Sequence, residues 1–419
     1  MALLLVLAHS FAAGSWKIDF AAGTHTPKPR VRRSISRRAP NIMNMPAVDP
    51  LPGGFGCMHD LRSVDIMRRG TWRRVDGAFL GASGSELCAF KTGALQGTGK
   101  FTCEKSFHSS AHPGKERWEF DVTPSCRVHG QEALYSSRMK NQTLWLLGDS
   151  LMQQLATTIA CKLHSEPVRS PLSGAVHSCF RTAEHSRVCV ADLMHFALKS
   201  SSKSASARGA ARGGTSACSL DRNFRLVFGT ADEPGLASPH DVVLLSFGLH
   251  YVPLHLEEGA TKLAAMLECL ASLRAARPPY GHRALPWTLW RESPAQHFPT
   301  RNGNWMAAFH PGTAKAWPKA PDPMRPCNRT IGRDASEADA NRLNRRFEPL
   351  LAQAGLPVLR LWSATAMRGD DHVGVWRASR SGGYDCTHTC EPSSSLNLQA
   401  DILLAFVSAG MTAGMSAVR

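Results

Sequence analysis

The chain has 419 residues, 43% of them hydrophobic and 20% charged, and carries a formal net charge of +16. Its apolar content is ordinary for a soluble globular protein, and its length can hold two or three domains or one α/β enzyme with insertions. The positive balance comes without a zinc finger, basic heptad or other nucleic-acid-binding signature, so it points away from nucleic acid and toward acidic or sulfated glycans, with a plain solvated surface as the bland alternative.

Residues 1–20 open with the apolar run Ala2 to Ala8 ahead of Ala12 and Ala13, which reads as a signal-like segment without a strong basic n-region. It is too short to span a membrane. A transit peptide, or the remnant of an anchor giving membrane association, are the competing readings. From 21 to 53 the chain is rich in Pro, Arg and Ser without apolar periodicity, a flexible basic stem. Residues 54–135 read as a small N-terminal lobe braced by disulfides, carrying Cys57, Cys88, Cys103 and Cys126, with Trp72 and Trp118 as packing anchors. Twelve cysteines, an even and dispersed set with no paired Cys-x-x-Cys framework, argue for disulfides and so for the secretory pathway. Sequons at Asn141 and Asn328 are then available, and Asn328 is preferred because Asn141 sits at the mouth of a predicted strand.

From 136 to 419 short apolar runs alternate with amphipathic stretches, the pattern of a parallel sheet covered by helices and hence of the α/β class. Strands are expected at Thr143–Leu147, Phe224–Phe228, Val242–Ser246, Pro286–Arg291 and Val358–Trp362. Helices are expected from Ser150 to Leu163 and over Leu256–Ala276, Glu337–Ala354 and Leu396–Ala409. The Ser-, Ala-, Gly- and Arg-rich stretch from Ser200 to Ser219 reads as a mobile surface insertion.

The apolar run ending in Gly148-Asp149-Ser150 presents Ser150 at a strand end and a helix start, where unpaired N–H groups and the helix dipole favour a developing oxyanion. A capped turn is the bland reading, since Asp and Ser are ordinary N-cap residues. Far along the chain, Asp385 and His388 stand three apart in one short segment. His388 would be the general base and Asp385 the acid that orients it, the partners a serine nucleophile needs. A zinc site of Asp385, Cys386, His388 and Cys390 is the alternative. It lacks a second cysteine pair of suitable spacing, so no metal is expected and disulfides bracing the histidine loop are preferred.

Four ordered stretches carry a resemblance: Gly148 to Leu151, Asp241 to His250, Arg291 to Phe298, and Asp385 to Cys390. Weaker echoes lie at Met367-Arg368 with Asp371-His372, at Cys57 with Gly70 to Trp72, and at Trp118 to Cys126. Over about residues 55 to 410 the chain resembles the PC-esterase group of SGNH-type proteins, which includes the trichome birefringence-like polysaccharide O-acetyltransferases. The resemblance implies a flavodoxin-like α/β/α sheet and a Ser150, His388, Asp385 triad. It also implies acetyl transfer through an acyl-serine in the Golgi lumen, or an extracellular setting. No bound cofactor is implied. An acetyl donor such as acetyl-CoA would be a co-substrate, and a polysaccharide, acidic if the charge is a guide, would be the acceptor.

The departure from the family pattern is Ser246, where such proteins place an asparagine as oxyanion donor; losing one such donor can cost roughly 10²–10³ in rate. Gly148, Asp149, Ser246, Gly248, His250, Arg291, His297 and His372 are the oxyanion or cleft candidates, and Cys327, Cys386 and Cys390 join the disulfide candidates. Asp371 and His372, being adjacent, point apart and do not form one relay. The three functional readings are an O-acyltransferase, a carbohydrate O-acetyl esterase with the same triad, and a non-catalytic glycan-binding or wall-organising protein.

Overall fold

A computed structural model of the chain describes residues 70–75, 118–122, 128, 130, 132–171, 178–193, 221–249, 256–277, 284–300, 302–304, 327–328, 330–331, 336–375, 384–390 and 393–416. The signal-like segment, the basic stem, Cys57, Cys88, Cys103, Cys126, His250 and the 200–219 insertion lie outside these residues.

The sheet is built around β3 (Thr143–Gly148), whose six residues are all buried because helices cover both of its faces. Its alternation sorts the core. Trp145 and Leu147 face one apolar cluster, Leu144 and Leu146 the other. Beside it run β6 (Arg187–Asp192) and β7 (Val242–Ser246), both parallel to it, followed outward by β8 (Trp287–Arg291) and β9 (Val358–Leu359). An antiparallel flank of β4 (Glu166–Val168) and β5 (Ser178–Arg181) extends the sheet beyond β6. The full order is β4-β5-β6-β3-β7-β8-β9. Taken alone and renumbered by chain position, the parallel strands run 2-1-3-4-5. This is an order of doubly wound sheets, in which ligands bind beyond the carboxyl ends of the strands where the order reverses, here between β3 and β7.

One face packs α3 (Arg222–Phe228), α4 (Leu256–Ala276) and α5 (Asp339–Gln353) through Phe224, Leu263, Leu270, Leu343 and Phe347. The other packs α1 (Glu132–Arg138), α2 (Ser150–Lys162) and α7 (Ser394–Ser416) through Tyr135, Leu155, Ile159, Leu403 and Phe406. A two-stranded hairpin of β1 (Thr71–Arg74) and β2 (Trp118–Asp121) adds Phe120 to this second cluster. Trp72 and Trp118 of that hairpin each lie about 5 Å from the Arg368 guanidinium, at 5.1 and 5.0 Å, so their anchoring is a cation–π contact as well as packing.

Two expected strands differ. Phe224–Phe228 is helical: Phe224, Val227 and Phe228 are buried at helical spacing, Asp221 caps the helix by accepting from the Asn223 and Phe224 amides, and Gly229 ends it at φ 78°. Its expected place in the sheet belongs to Arg187–Asp192, an apolar run the pattern did not single out. The run at Val358–Trp362 is strand only to Leu359. Glu292 accepts hydrogen bonds from the Leu361 and Trp362 amides and so starts the short α6 (Trp362–Thr365).

Disulfides join Cys179 to Cys189 and Cys327 to Cys386, and Cys390 is disulfide-bonded as well. Among the described residues no helix is long and apolar enough to cross a membrane. These features are compatible with a secreted or lumenal protein. The two sequon asparagines differ in their surroundings. Asn328 spends its amide on the Phe298 and Thr300 carbonyls, at 2.8 and 2.7 Å, whereas Asn141 is exposed in the turn before β3.

Candidate active site

Ser150 opens α2 at the carboxyl end of β3, on the side where the parallel strand order reverses. Asp149 is the N-cap, accepting from the Leu151 amide at 3.0 Å, so the capped-turn reading of this motif holds and coexists with the presentation of Ser150. Gly148 is required by space. A Cβ there would stand 2.2 Å from the Ser246 carbonyl oxygen, on the neighbouring strand in register with it. Ser246 is buried, and Gly248, two residues on, takes a φ of +118° against the Phe347 ring.

The histidine comes from a separate hairpin of β10 (His372–Val375) and β11 (Tyr384–Thr389). A regular strand would point residues three apart to opposite faces. Here the register runs from His372 opposite Thr389 to Gly374 opposite Asp385, so a two-residue step on β10 matches a four-residue step on β11. That bulge turns Asp385 and His388 to each other. Asp385 Oδ2 lies 2.7 Å from His388 Nδ1, while its Oδ1 accepts from the Thr387 and His388 amides, both at 2.9 Å. With Nδ1–H donating to Asp385, His388 Nε2 is the acceptor, and it receives the Ser150 hydroxyl at 2.7 Å. Burial works to raise the Asp385 pKa, but the adjacent His388 and the hydrogen bonds from its ring and from the two amides outweigh it and hold the carboxyl below its ordinary range. A relay of this geometry can take the proton from a serine hydroxyl and steady the imidazolium that results.

Gln154, one turn beyond Ser150 on α2, ties the two sides of the Ser150–His388 contact together. Its Nε2 donates to the Thr389 carbonyl at 2.7 Å, tying the nucleophile's helix to the strand that carries His388. Gln154 was not singled out in the sequence. Its signal is a polar residue, 1% exposed, within the buried stripe of Leu151, Leu155 and Ile159. From the other side, Gln296 Nε2 donates to Thr387 Oγ1, the His297 amide donates to the Cys386 carbonyl, and the Cys327–Cys386 disulfide anchors the same loop. Because Cys386 and Cys390 are both oxidised, their sulfurs are not free for zinc.

His297 and His372 form a second, wholly internal chain. His297 Nε2 faces the Ala366 carbonyl at 3.0 Å, His372 Nδ1 faces the His388 carbonyl at 3.0 Å, and the remaining nitrogens meet at 2.7 Å. The Ala366 carbonyl also accepts from the Ile331 amide at 2.7 Å, and the neutral pair has two ring protons for three contacts. A third proton would satisfy all three, but burial pushes both imidazoles down, His297 well below its ordinary pKa, and so opposes it. Asp371 does not share in this chain. Its carboxylate accepts from Arg368 and from the Ser395 amide and hydroxyl.

Arg291 is buried behind Asp149, with one guanidinium nitrogen on Gln399 and another 3.6 Å from Met152 Sδ. Burial lowers its pKa to about 10, opposed by the Asp149 charge. The void among Arg291, Gln154, His372 and Thr389 is about 10 Å³, room for one water and not for an acyl group. Among the described residues, Arg291, His297 and His372 are buried and support the site from behind.

No protein-family model matches the chain, and no curated protein matches it.

Proposed function

We propose that the protein is a serine-dependent O-acyltransferase of the SGNH type, moving an acetyl group onto hydroxyls of a polysaccharide in the secretory pathway. The observation that carries this reading is the continuous relay from Ser150 Oγ through His388 to Asp385, with both links at 2.7 Å. In the proposed reaction His388 Nε2 takes the Ser150 proton as Oγ attacks the acetyl carbonyl. The imidazolium then protonates the leaving group, and an acetyl-serine ester remains. A sugar hydroxyl, deprotonated by the same nitrogen, attacks that ester and carries the acetyl group away, while the imidazolium returns the proton to the departing Ser150 Oγ. Asp385 stays ionised throughout and stabilises the imidazolium. In the first turn of α2 the Leu151, Met152 and Gln153 N–H groups donate to Asp149, which leaves the Ser150 N–H as the main-chain oxyanion candidate, with the buried Ser246 hydroxyl at the end of β7 as the side-chain candidate.

Hydrolysis by the same relay is the second reading, since water and a sugar hydroxyl compete for one ester. Product analysis separates them. Purified protein is given an activated acetyl ester with and without polysaccharide, and acetate and acetylated glycan are both quantified. Transfer predicts that glycan diverts acetyl from acetate to sugar ester. Acetate alone, at an undiminished rate, assigns the esterase, and no product above a Ser150→Ala control rejects both.

A further inference from the structure

At the flank of the sheet, β4, β5 and β6 pair so that Arg181 stands directly across from Arg187 on one side and from Glu166 on the other. Period two puts these residues on the same face as Val168 and the Cys179–Cys189 disulfide. Like charges placed directly opposite one another destabilise a sheet. Elsewhere the chain relieves its guanidiniums with carboxylates, as in Arg346 with Glu257, Arg360 with Glu348 and Arg368 with Asp371. Among the described residues no ion pair relieves Arg169, Arg181 or Arg187, and Glu166 makes none with Arg181 across the ladder. These three arginines, with Val168, Ser170 and Pro171, line a cavity of about 390 Å³.

We infer that this cavity is an anion-binding site for an acidic glycan, its guanidiniums holding a sulfate ester or uronate carboxylate and Val168 and Pro171 lying against the sugar ring. Guanidinium forks match oxyanion geometry and remain charged at every physiological pH. The volume falls in the range of small-ligand sites. The disulfides are compatible with an oxidising setting, where polyanions are glycans rather than nucleic acids. The site is distinct from the serine. Arg187 pairs with Thr143 at the start of β3 and Gly148 ends that strand, which separates the two by roughly 16 Å along the sheet. Binding here stands without the proposed chemistry. If that chemistry holds, the cavity retains an acidic acceptor chain and so names the acceptor's class.

The test uses the full chain and titration calorimetry with single-stranded DNA and three defined oligosaccharides, one sulfated, one uronate and one neutral. Four proteins are compared: wild type, the double variant Arg181→Gln with Arg187→Gln, a charge-matched control Arg225→Gln with Arg345→Gln, and Ser150→Ala. The site predicts that wild type, the control and Ser150→Ala bind at least one acidic oligosaccharide equally and the neutral one poorly. The double variant should lose at least tenfold in affinity while its melting temperature stays at or above wild type, because a repulsion has been removed. Which acidic ligand binds names the anion. An equal loss in the control, or tighter binding of single-stranded DNA than of either acidic glycan, overturns the proposal. Retained glycan binding in a protein that never acylates Ser150 would reject the proposed function alone.

Discussion

His388 and the pair His297/His372 lie in one wall of the molecule, joined by a hydrogen bond from His372 to the His388 carbonyl, yet their surroundings differ in kind. His388 has a carboxylate behind it, a serine hydroxyl before it, and 19% of its side chain exposed. The His297 and His372 rings hydrogen-bond only to main-chain carbonyls and to each other, and both are buried. The Asp385 and Asp371 charges near His372 are too weak to offset that burial, and Arg368 near His297 adds to its effect. An imidazole becomes a usable base when a fixed negative charge repays its protonation and a transferable proton is within reach. Two imidazoles closed off among carbonyls hold geometry instead. The contrast separates residues whose loss stops the proposed chemistry from residues whose loss loosens the wall.

The largest expected effect is on the reacting side of that contrast. Ser150→Ala or His388→Ala should each lower acetyl-ester turnover by roughly 10⁴–10⁶-fold, and the double variant should fall little further because the pair acts as a unit. Additive losses in steady-state kinetics would break the idea of a single relay. Asp385→Asn should cost roughly 10⁴-fold through the wrong imidazole tautomer with the fold intact, which circular dichroism and turnover can check together.

Gln154→Ala tests the link between the two elements. It leaves Ser150 and His388 in place but removes the tie from α2 to β11. We expect kcat to fall tenfold to a hundredfold with KM nearly unchanged, in line with the roughly 1–3 kcal/mol cost of an unmet buried partner at Thr389. A change in KM alone would assign Gln154 to substrate binding.

The smallest effect lies on the holding side. Both buried imidazoles have depressed folded pKa values, so the unfolded chain binds protons from about pH 6.5 downward while the folded one resists them. Stability should therefore fall as pH drops below about 6.5, toward the folded-state pKa values. The Asp385 contribution, present above its ordinary carboxylate range, disappears only at lower pH, as pH falls through its depressed folded value. The melting temperature at pH 5.5 should lie a few degrees below that at pH 7.5, and His372→Gln should shrink this difference. A flat profile in wild type would remove the account of the pair.

The parts of the site legible in the sequence are those with local causes. An apolar strand, a Gly forced by the Ser246 carbonyl and an Asp cap announce Ser150, and Asp385 with His388 are close enough for one segment to hold both. The parts that were not legible depend on register and tertiary partners. Phe224–Phe228 reads equally as strand or helix until Asp221 and Gly229 cap it, because four apolar residues around Arg225 fit either period. The β11 bulge has no signature in Asp385 to His388, and the His297–His372 contact joins residues 75 apart. Gln154 was visible only as one polar residue on a buried stripe, which becomes informative once Thr389 is known to face it.

The most direct test of the central claim is peptide mass spectrometry of the purified full chain after brief exposure to an activated acetyl ester, with Ser150→Ala and His388→Ala alongside. The relay predicts one acetyl group on Ser150 in wild type, lost faster when polysaccharide is added, and none at that position in either variant. Labelling of Ser150 that is equal in wild type and His388→Ala, or absent from wild type, would contradict it.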